Sequence, residues 1–328
     1  MIVAFLPAAA WADDQCPKLN LVASVGMHIG DDGRAYVPMT VAGVSKSMLI
    51  DTGGFFTQMT QAGADELKLS PYKTRAQLIG VTGDIASMAV RASFKLDSLY
   101  SDEMDFVILA PVHNFADDVP DAVGIIAPNL LRIYDADFDF GNNKFNLISQ
   151  DHCDGRVIYW TSDNVAVVPM RINQAGHITL QVNIDGHDLP AILDTGASHS
   201  VMNLNTAELE FGIVPGATDT PVAGHMFADG SGTIYRHQFK SLALEGLAVG
   251  NPTMEIVPDM MGRKQTDPAD SIEHDTRIHD RSFERGLPQV IVGMDVLRKL
   301  HVYIAYKEQK IYITGAKPAK STAATTTQ

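Results

Sequence analysis

The sequence of 328 residues is poor in basic residues and in long apolar runs. Lysine and arginine total 25 against 39 acidic residues, so the chain lacks the clustered positive charge that binding to nucleic acid or an anionic membrane requires. No segment reaches the roughly 18 consecutive apolar residues of a membrane span. We expect a soluble, globular protein without a nucleic-acid partner, whose 45% apolar composition builds a core.

Cysteine is also scarce, with only Cys16 and Cys153. The sequence leaves open whether they form a disulfide or remain two free thiols, because nothing in it fixes their separation.

The N-terminus is predicted to be a signal peptide comprising residues 1–12. An apolar run over residues 2–10 leads into Ala10-Trp11-Ala12, the small-x-small pattern of a cleavage site. The basic residues that usually open such a segment are missing, and a buried N-terminal strand or helix is the alternative interpretation. We expect a periplasmic or secreted protein.

An internal repeat dominates the rest of the chain. Residues 48–53 end in Asp51-Thr52-Gly53, and residues 191–196 end in Asp194-Thr195-Gly196, 143 positions later. Both copies follow a stretch in which apolar and polar residues alternate, as in a strand that leads through a glycine turn into a second strand. The alternating apolar residues are Val37, Met39 and Val41 in the first copy and Leu180, Val182 and Ile184 in the second.

A second pair of matching segments sets the predicted domain limits. Residues 130–144 match residues 296–310 at an offset of 166, so the second copy has gained 23 residues. We assign the gain to a charged surface loop at residues 258–288. The sequence thus predicts an N-terminal lobe at residues 20–150, a C-terminal lobe at 160–315 and a disordered tail at 317–328.

Helical signal is limited to short runs near residues 60–69 and 203–211. Glycine-bearing segments at residues 78–90 and 222–235 are typical of hairpins with mobile tips. The predicted fold class is therefore all-β.

The repeated tripeptide predicts a specific chemistry. A carboxylate between an apolar strand and Thr-Gly lies on a tight turn whose backbone N–H groups point back at its oxygens. If the halves pack about a pseudo-twofold axis, Asp51 and Asp194 meet at one water molecule and share one proton. The ionised carboxylate would then act as general base and the protonated one as general acid.

The repeat of Asp-Thr-Gly after two aliphatic residues resembles the signature of the pepsin and retropepsin clan of aspartic proteases. The clan's second element, two apolar residues and a glycine, is matched by Ile291-Val292-Gly293 and, with alanine in place of glycine, by Ile125-Ile126-Ala127. The resemblance implies a bilobal acid-protease-like fold with two similar β-barrel lobes. It also implies an aspartic endopeptidase. We expect no metal or cofactor, and, because both aspartates lie in one chain, activity as a monomer.

The resemblance also assigns roles to neighbouring residues. Thr52 and Thr195 would brace the dyad from opposite loops, and Gly53 and Gly196 would set the loop shape. Substrate-binding flaps would cover a protein or peptide substrate bound as an extended strand. The flap residues are Gly80, Val81 and Gly83 in the first lobe and Gly224, His225 and Met226 in the second.

Two positions depart from the clan's pattern. Gly54 and Ala197 occupy the place after each tripeptide where pepsin-like members often carry a hydroxyl group that bonds the carboxylate. Without that bond the dyad's pKa values should be higher, so we expect an optimum nearer weak acid to neutral than strong acid. Gly54 and Ala127 together suggest an alternative function, a catalytically degenerate two-lobed peptide-binding protein.

Overall fold

The computed structural model describes residues 16–79, 85–108, 115–173, 176–227, 229–258 and 288–317. The predicted signal peptide at 1–12, residues 259–287 of the predicted loop and residues 318–328 of the predicted tail lie outside the described residues. The first half of the chain contributes β1 (Leu21–Gly26), β2 (His28–Ile29), β3 (Ala35–Val41), β4 (Val44–Ile50), β5 (Gln58–Met59), β6 (Tyr72–Ile79), β7 (Ile85–Leu96), β8 (Leu99–Ile108), β9 (Ala122–Ile126), β10 (Asp135–Asp139) and β11 (Lys144–Ile148). The second half contributes β12 (Ala166–Pro169), β13 (Arg171–Ile172), β14 (Ile178–Ile184), β15 (His187–Leu193), β16 (Val201–Asn203), β17 (Val222–His225), β18 (Thr233–Gln238), β19 (Ser241–Leu244), β20 (Leu247–Gly250), β21 (Thr253–Val257), β22 (Val290–Val292), β23 (Leu300–Ala305) and β24 (Lys310–Gly315).

The helices of the described residues are short and few. They are α1 (Gln61–Glu66), α2 (Pro128–Leu131), α3 (Leu204–Phe211) and α4 (Met294–Leu297). Helix α1 begins at Thr60, whose hydroxyl accepts a hydrogen bond from the Gly63 N–H, and α3 ends at Gly212 in the left-handed conformation. The two predicted helical runs are α1 and α3, and the predicted all-β class is confirmed.

Each lobe is organised around a tight hairpin that leads to the repeated tripeptide. In β3–β4 the two turn residues, Ala42 and Gly43, both have positive φ, and so do Asp185 and Gly186 in β14–β15. Two-residue turns of this kind match the twist of antiparallel strands. The predicted alternation holds in β3, where Val37, Met39 and Val41 are buried while Pro38 between them is exposed.

The first lobe contains an eight-stranded sheet in the order β2-β3-β4-β9-β5-β8-β7-β6. Strand β7 also pairs with β3, which closes a six-stranded barrel. Closure removes the unpaired edges of these strands and leaves an apolar interior.

The second lobe repeats this arrangement with interrupted strands. Its ten-stranded sheet has the order β17-β18-β21-β16-β22-β15-β14-β19-β20, with β13 paired to β14. The long β7–β8 hairpin of the first lobe corresponds here to β18–β21 and β19–β20. Hydrogen bonds from Phe239 N to Pro252 O and from Asn251 N to Lys240 O hold the two pieces together where the strands break.

A third sheet, absent from the sequence prediction, joins the lobes. Its order is β1-β11-β10-β23-β24-β12, so each lobe supplies three strands. The central pair, β10 and β23, is antiparallel with Phe138 opposite Val302. Every residue of β23 is buried, as expected for a central strand covered on both faces. This sheet fixes the lobes side by side.

Buried carboxyl groups that accept hydrogen bonds from histidine lie on this third sheet. Asp135 accepts a hydrogen bond from His152 at 2.6 Å, and Asp137 accepts one from His301 at 2.7 Å. The Tyr159 hydroxyl donates to Asp137 at 2.5 Å. Burial raises the pKa of Asp135, although the hydrogen bonds it receives oppose the shift. Buried polar groups are tolerated where each one is hydrogen-bonded, and that condition is met for these carboxyl groups.

Cys16 and Cys153 form a disulfide, with Cα atoms 5.7 Å apart. The bond settles the choice that the sequence left open. It ties the residues before β1 to the segment that follows β11. Among the helices of the described residues, none is long and apolar enough to cross a membrane.

Candidate functional site

The two Asp-Thr-Gly loops leave equivalent strands of the two lobes. Asp51 follows β4, which runs parallel to β9, and Asp194 follows β15, which runs parallel to β22. The Asp51 N–H donates to Ile126 O at 2.9 Å, and the Asp194 N–H donates to Val292 O at 3.0 Å. Each aspartate is therefore fixed to the end of a neighbouring strand in its own lobe.

Thr52 and Thr195 connect the two loops through a symmetric set of hydrogen bonds. The Thr52 hydroxyl donates to Leu193 O at 2.9 Å and accepts from the Thr195 N–H at 3.0 Å. The Thr195 hydroxyl donates to Ile50 O at 2.8 Å and accepts from the Thr52 N–H at 3.1 Å. Both threonines are buried, so water does not compete for these bonds.

Gly53 and Gly196 pack directly against the carboxyl group of the opposite lobe. A Cβ atom at Gly53 would lie 2.3 Å from Cγ of Asp194, and one at Gly196 would lie 2.4 Å from Cγ of Asp51. Each glycine N–H also donates to the aspartate of its own loop at 2.8 Å. Only glycine permits this approach, since any side chain would displace the carboxyl group.

The two carboxyl groups lie close enough together that Asp194 affects the ionisation of Asp51. Burial, followed by the charge of Asp194 and the hydrogen bond to it, raises the pKa of Asp51 well above its usual value. The N–H groups of Gly53 and Gly54 act in the opposite direction by stabilising the ionised form. Two carboxyl groups this close share a proton, because ionising both would place like charges side by side. The arrangement can therefore supply one general base and one general acid.

A further pair of hydrogen-bonded side chains supports each loop, and the sequence did not predict these pairs. In the first lobe, Asn129 Oδ1 accepts from the N–H and the hydroxyl of Thr57 at 2.7 and 2.9 Å. In the second, Asp295 Oδ1 accepts from the N–H and the hydroxyl of Ser200 at 2.9 and 2.6 Å. Thr57 and Ser200 are 143 positions apart, and Asn129 and Asp295 are 166 apart, the two repeat offsets. A search for polar pairs at those offsets would have found them.

The alanine at position 127 is accommodated. Ala127 is fully buried, and its N–H donates to the Thr57 hydroxyl at 3.2 Å, as the Gly293 N–H donates to the Ser200 hydroxyl at 3.0 Å. A Cβ atom at Gly54 would lie 3.4 Å from the Ala127 methyl group and 2.8 Å from Asp51 Oδ2. The first lobe thus has glycine at 54 beside alanine at 127.

The second lobe has the reverse combination, alanine at 197 and glycine at 293. A Cβ atom at Gly293 would lie 2.5 Å from His199 O and 2.9 Å from Ala197 O. Gly293 is therefore required by backbone carbonyl groups of its own lobe, while Ala127 keeps the equivalent hydrogen bond in the first lobe, so the packing behind Asp51 is intact.

The predicted flap residues are only partly described. Gly80, Val81 and Gly83 lie outside the described residues. Gly224 and His225 lie in β17, opposite Ile234 and Thr233 of β18. The next residue, Met226, donates its N–H to Gly232 O at 2.9 Å, which extends the hairpin. The role of this hairpin as a flap stays a prediction.

Across the described ranges, no group of three or more His, Cys, Asp or Glu side chains is arranged to hold a metal ion.

The second lobe matches a known protein family. Residues 180–296 match the family model described as aspartyl protease, a span that runs from β14 to α4 and includes Asp194-Thr195-Gly196. The resemblance to the pepsin and retropepsin clan is confirmed. The aspartyl-protease match covers the loop that carries one aspartate, strand β22 behind it and most strands of the ten-stranded sheet, from within β14 onward.

Among solved structures, the chain is similar to basic 7S globulin from soybean. The two share 11% sequence identity with a TM-score of 0.49, and the similarity covers 91% of this chain and 96% of the globulin. A comparison with curated protein sequences gave no match.

Proposed function

We propose that this protein is an aspartic endopeptidase that hydrolyses peptide bonds with a water molecule activated by Asp51 and Asp194. The observation that carries the proposal is the contact between these two carboxyl groups. They come from opposite lobes, are each packed on the glycine of the other loop, and lie close enough that the charge of Asp194 raises the pKa of Asp51.

The proposed reaction uses the single shared proton. The ionised carboxylate removes a proton from the water as its oxygen attacks the peptide carbonyl carbon. The protonated carboxyl group donates its proton to the carbonyl oxygen, which gives a neutral tetrahedral diol. When the C–N bond breaks, the carboxyl group that took the water proton gives it to the leaving amine, and a diol hydroxyl returns its proton to the other carboxylate. The dyad ends with one proton, as it began.

The electrostatic environment supports this sequence of proton transfers. Burial and the neighbouring charge keep one carboxyl group protonated, which is the condition for an acid. The four threonine hydrogen bonds hold the loops so that neither carboxyl group moves as protons are exchanged.

We further propose that the substrate is a protein or peptide bound as an extended strand, and that the protein acts after export. Both aspartates belong to one chain, so a monomer contains the whole dyad. The Cys16–Cys153 disulfide supports an oxidising compartment, the periplasm or the cell exterior, because cytosolic proteins rarely keep such bonds.

The test is cleavage-site profiling of the disulfide-bonded protein on a peptide library, with and without pepstatin, a mimic of the tetrahedral intermediate. The proposal predicts internal cleavage that pepstatin abolishes. Cleavage insensitive to pepstatin and unchanged in Asp194→Asn would contradict it. Tight peptide binding without any cleavage would favour the degenerate peptide-binding protein instead.

A further inference from the structure

The segment that joins the two lobes packs on one face of the six-stranded sheet. We call residues 149–165, which run from β11 to β12, the strap. In its first half, His152 Nε2 lies 2.6 Å from Asp135 Oδ2, on a strand of the first lobe. The Gly155 N–H donates to Glu308 Oε1 of the second lobe at 3.0 Å. The strap is therefore anchored to both lobes.

The second half of the strap is held by His301 of β23. The ring of Trp160 is stacked on that of His301, with centroids 4.4 Å apart and planes inclined by 6°. Trp160 Nε1 also donates to Thr314 Oγ1 at 3.2 Å. The Tyr159 hydroxyl donates to Asp137, the same carboxyl group that binds His301. His301 thus contacts both the strap and a strand of the first lobe.

Both ring nitrogens of His301 face carboxyl groups. Nε2 lies 2.7 Å from Asp137 Oδ1, and Nδ1 lies 3.5 Å from Asp139 Oδ1. Asp137 also accepts from the Asn146 side-chain amide, and Asp139 from that of Asn142, each at 2.7 Å. Carboxyl groups surrounded by donors in this way are ionised. A neutral ring has one N–H and would turn a lone pair toward a carboxylate, whereas the imidazolium form has a donor for each.

We propose that His301 is a pH-sensitive latch for the strap, closed when the ring carries its second proton and open when that proton leaves. The stacked indole of Trp160 favours the closed state, because the face of an aromatic ring attracts a cation. Loss of the proton removes this attraction and sets a lone pair against Asp139. Residues 159–160 then leave the sheet, while the Cys16–Cys153 disulfide still holds the first half of the strap. Histidine suits this role because it ordinarily changes its charge near neutral pH.

Other ionisable groups near the ring do not produce the same response. Burial raises the pKa of the Tyr159 and Tyr303 hydroxyl groups, so both keep their protons as the histidine titrates. Thr314 lies opposite His301 on β24 and does not titrate. The ionisable groups that face His301 or its partners are Asp137 and Asp139 of β10, Lys144 of β11, which is exposed opposite Asp139, Tyr159 of the strap and Tyr303 of β23.

The test uses the fluorescence of Trp160 in the full chain. The sequence has two tryptophans, so Trp11→Phe leaves Trp160 as the single reporter. As the pH rises, we expect a step in the emission to longer wavelength, because an indole that leaves the sheet enters water. His301→Gln, whose side chain cannot change its charge, should lose the step. Asp139→Asn should move the step to lower pH, because the charge that stabilises the imidazolium form is gone.

Three results would overturn the proposal: no step in the Trp11→Phe chain, an unchanged step in its His301→Gln variant, or a step that coincides with loss of the β signal in circular dichroism. His187→Gln, at an exposed histidine, is the control and should leave the step unchanged. If His301→Gln fails to fold, ¹³C NMR of the His301 ring replaces it, and a ring titration at a different pH from the emission step would equally refute the latch. None of these measurements needs peptide cleavage, so the latch and the proposed function are tested separately.

Discussion

Gly53 of the first lobe lies so close to Asp194 of the second that a Cβ atom at position 53 would be 2.3 Å from the carboxyl carbon. Gly196 and Asp51 show the same relationship at 2.4 Å. The glycine of each repeated tripeptide therefore leaves room for the carboxyl group of the opposite lobe. The close approach of the two lobes at the dyad depends on glycine's lack of a side chain as much as on the carboxyl groups.

We predict that Gly53→Ala abolishes cleavage while the protein stays folded. The added methyl group would displace Asp194, and an overpacked contact of this kind costs about 1–3 kcal/mol of folding free energy. Activity assays and urea denaturation measure the two effects. Gly26→Ala is the control, because a Cβ atom there would meet nothing within 4 Å. Unchanged cleavage in Gly53→Ala would contradict the close packing.

Replacing Thr52 and replacing Thr195 should lower the free energy of unfolding by similar amounts. Thr52→Val removes the bond to Leu193 O and leaves the Thr195 N–H buried without its partner, and Thr195→Val does the same with Ile50 O and the Thr52 N–H. We expect a loss of about 2–3 kcal/mol for each, by urea denaturation. Thr253→Val, at an exposed position in β21, should change stability little. A marked difference between the two threonine variants would refute the symmetric brace.

The pH dependence of cleavage follows from the raised pKa of Asp51. Since burial and the Asp194 charge favour the protonated form, the dyad keeps its last proton at pH values where an ordinary carboxyl group has lost it. Activity should therefore persist into the weakly acid to neutral range and fall as that proton leaves. The measurement is kcat/KM against pH. A kcat/KM that peaks at about pH 2 and falls to zero by about pH 5 would rule this out.

Tyr306 offers a prediction about stability alone. Its ring is buried at 6% exposure, and its hydroxyl has no hydrogen-bond partner among the described residues. Removing an unsatisfied buried hydroxyl relieves a desolvation cost, so Tyr306→Phe should be neutral or more stable by up to about 1–2 kcal/mol. Thermal and urea unfolding test this. A clear destabilisation would show that the hydroxyl has a partner.

The sequence was most informative where a pattern repeats. The tripeptides, the hairpins before them and the helices near residues 60 and 203 were all predicted, because period-2 alternation and turn glycines are local signals. The elements Ile125-Ile126-Ala127 and Ile291-Val292-Gly293 were also found through their resemblance, and Ala127 keeps the backbone hydrogen bond that Gly293 makes in the second lobe.

Features that join distant segments could not be predicted in this way. The six-stranded sheet pairs β10 with β23, and nothing local in Phe138 or Val302 indicates that they lie opposite each other. The pairing of Cys16 with Cys153 likewise needed their separation in space.

The most direct test of the central claim is the cleavage activity of Asp51→Asn and Asp194→Asn, each measured beside wild type with circular dichroism as the check on folding. If one proton is shared between the two carboxyl groups, each variant alone should lose all cleavage while its spectrum stays that of wild type. Cleavage at the wild-type rate in either folded variant would contradict the account.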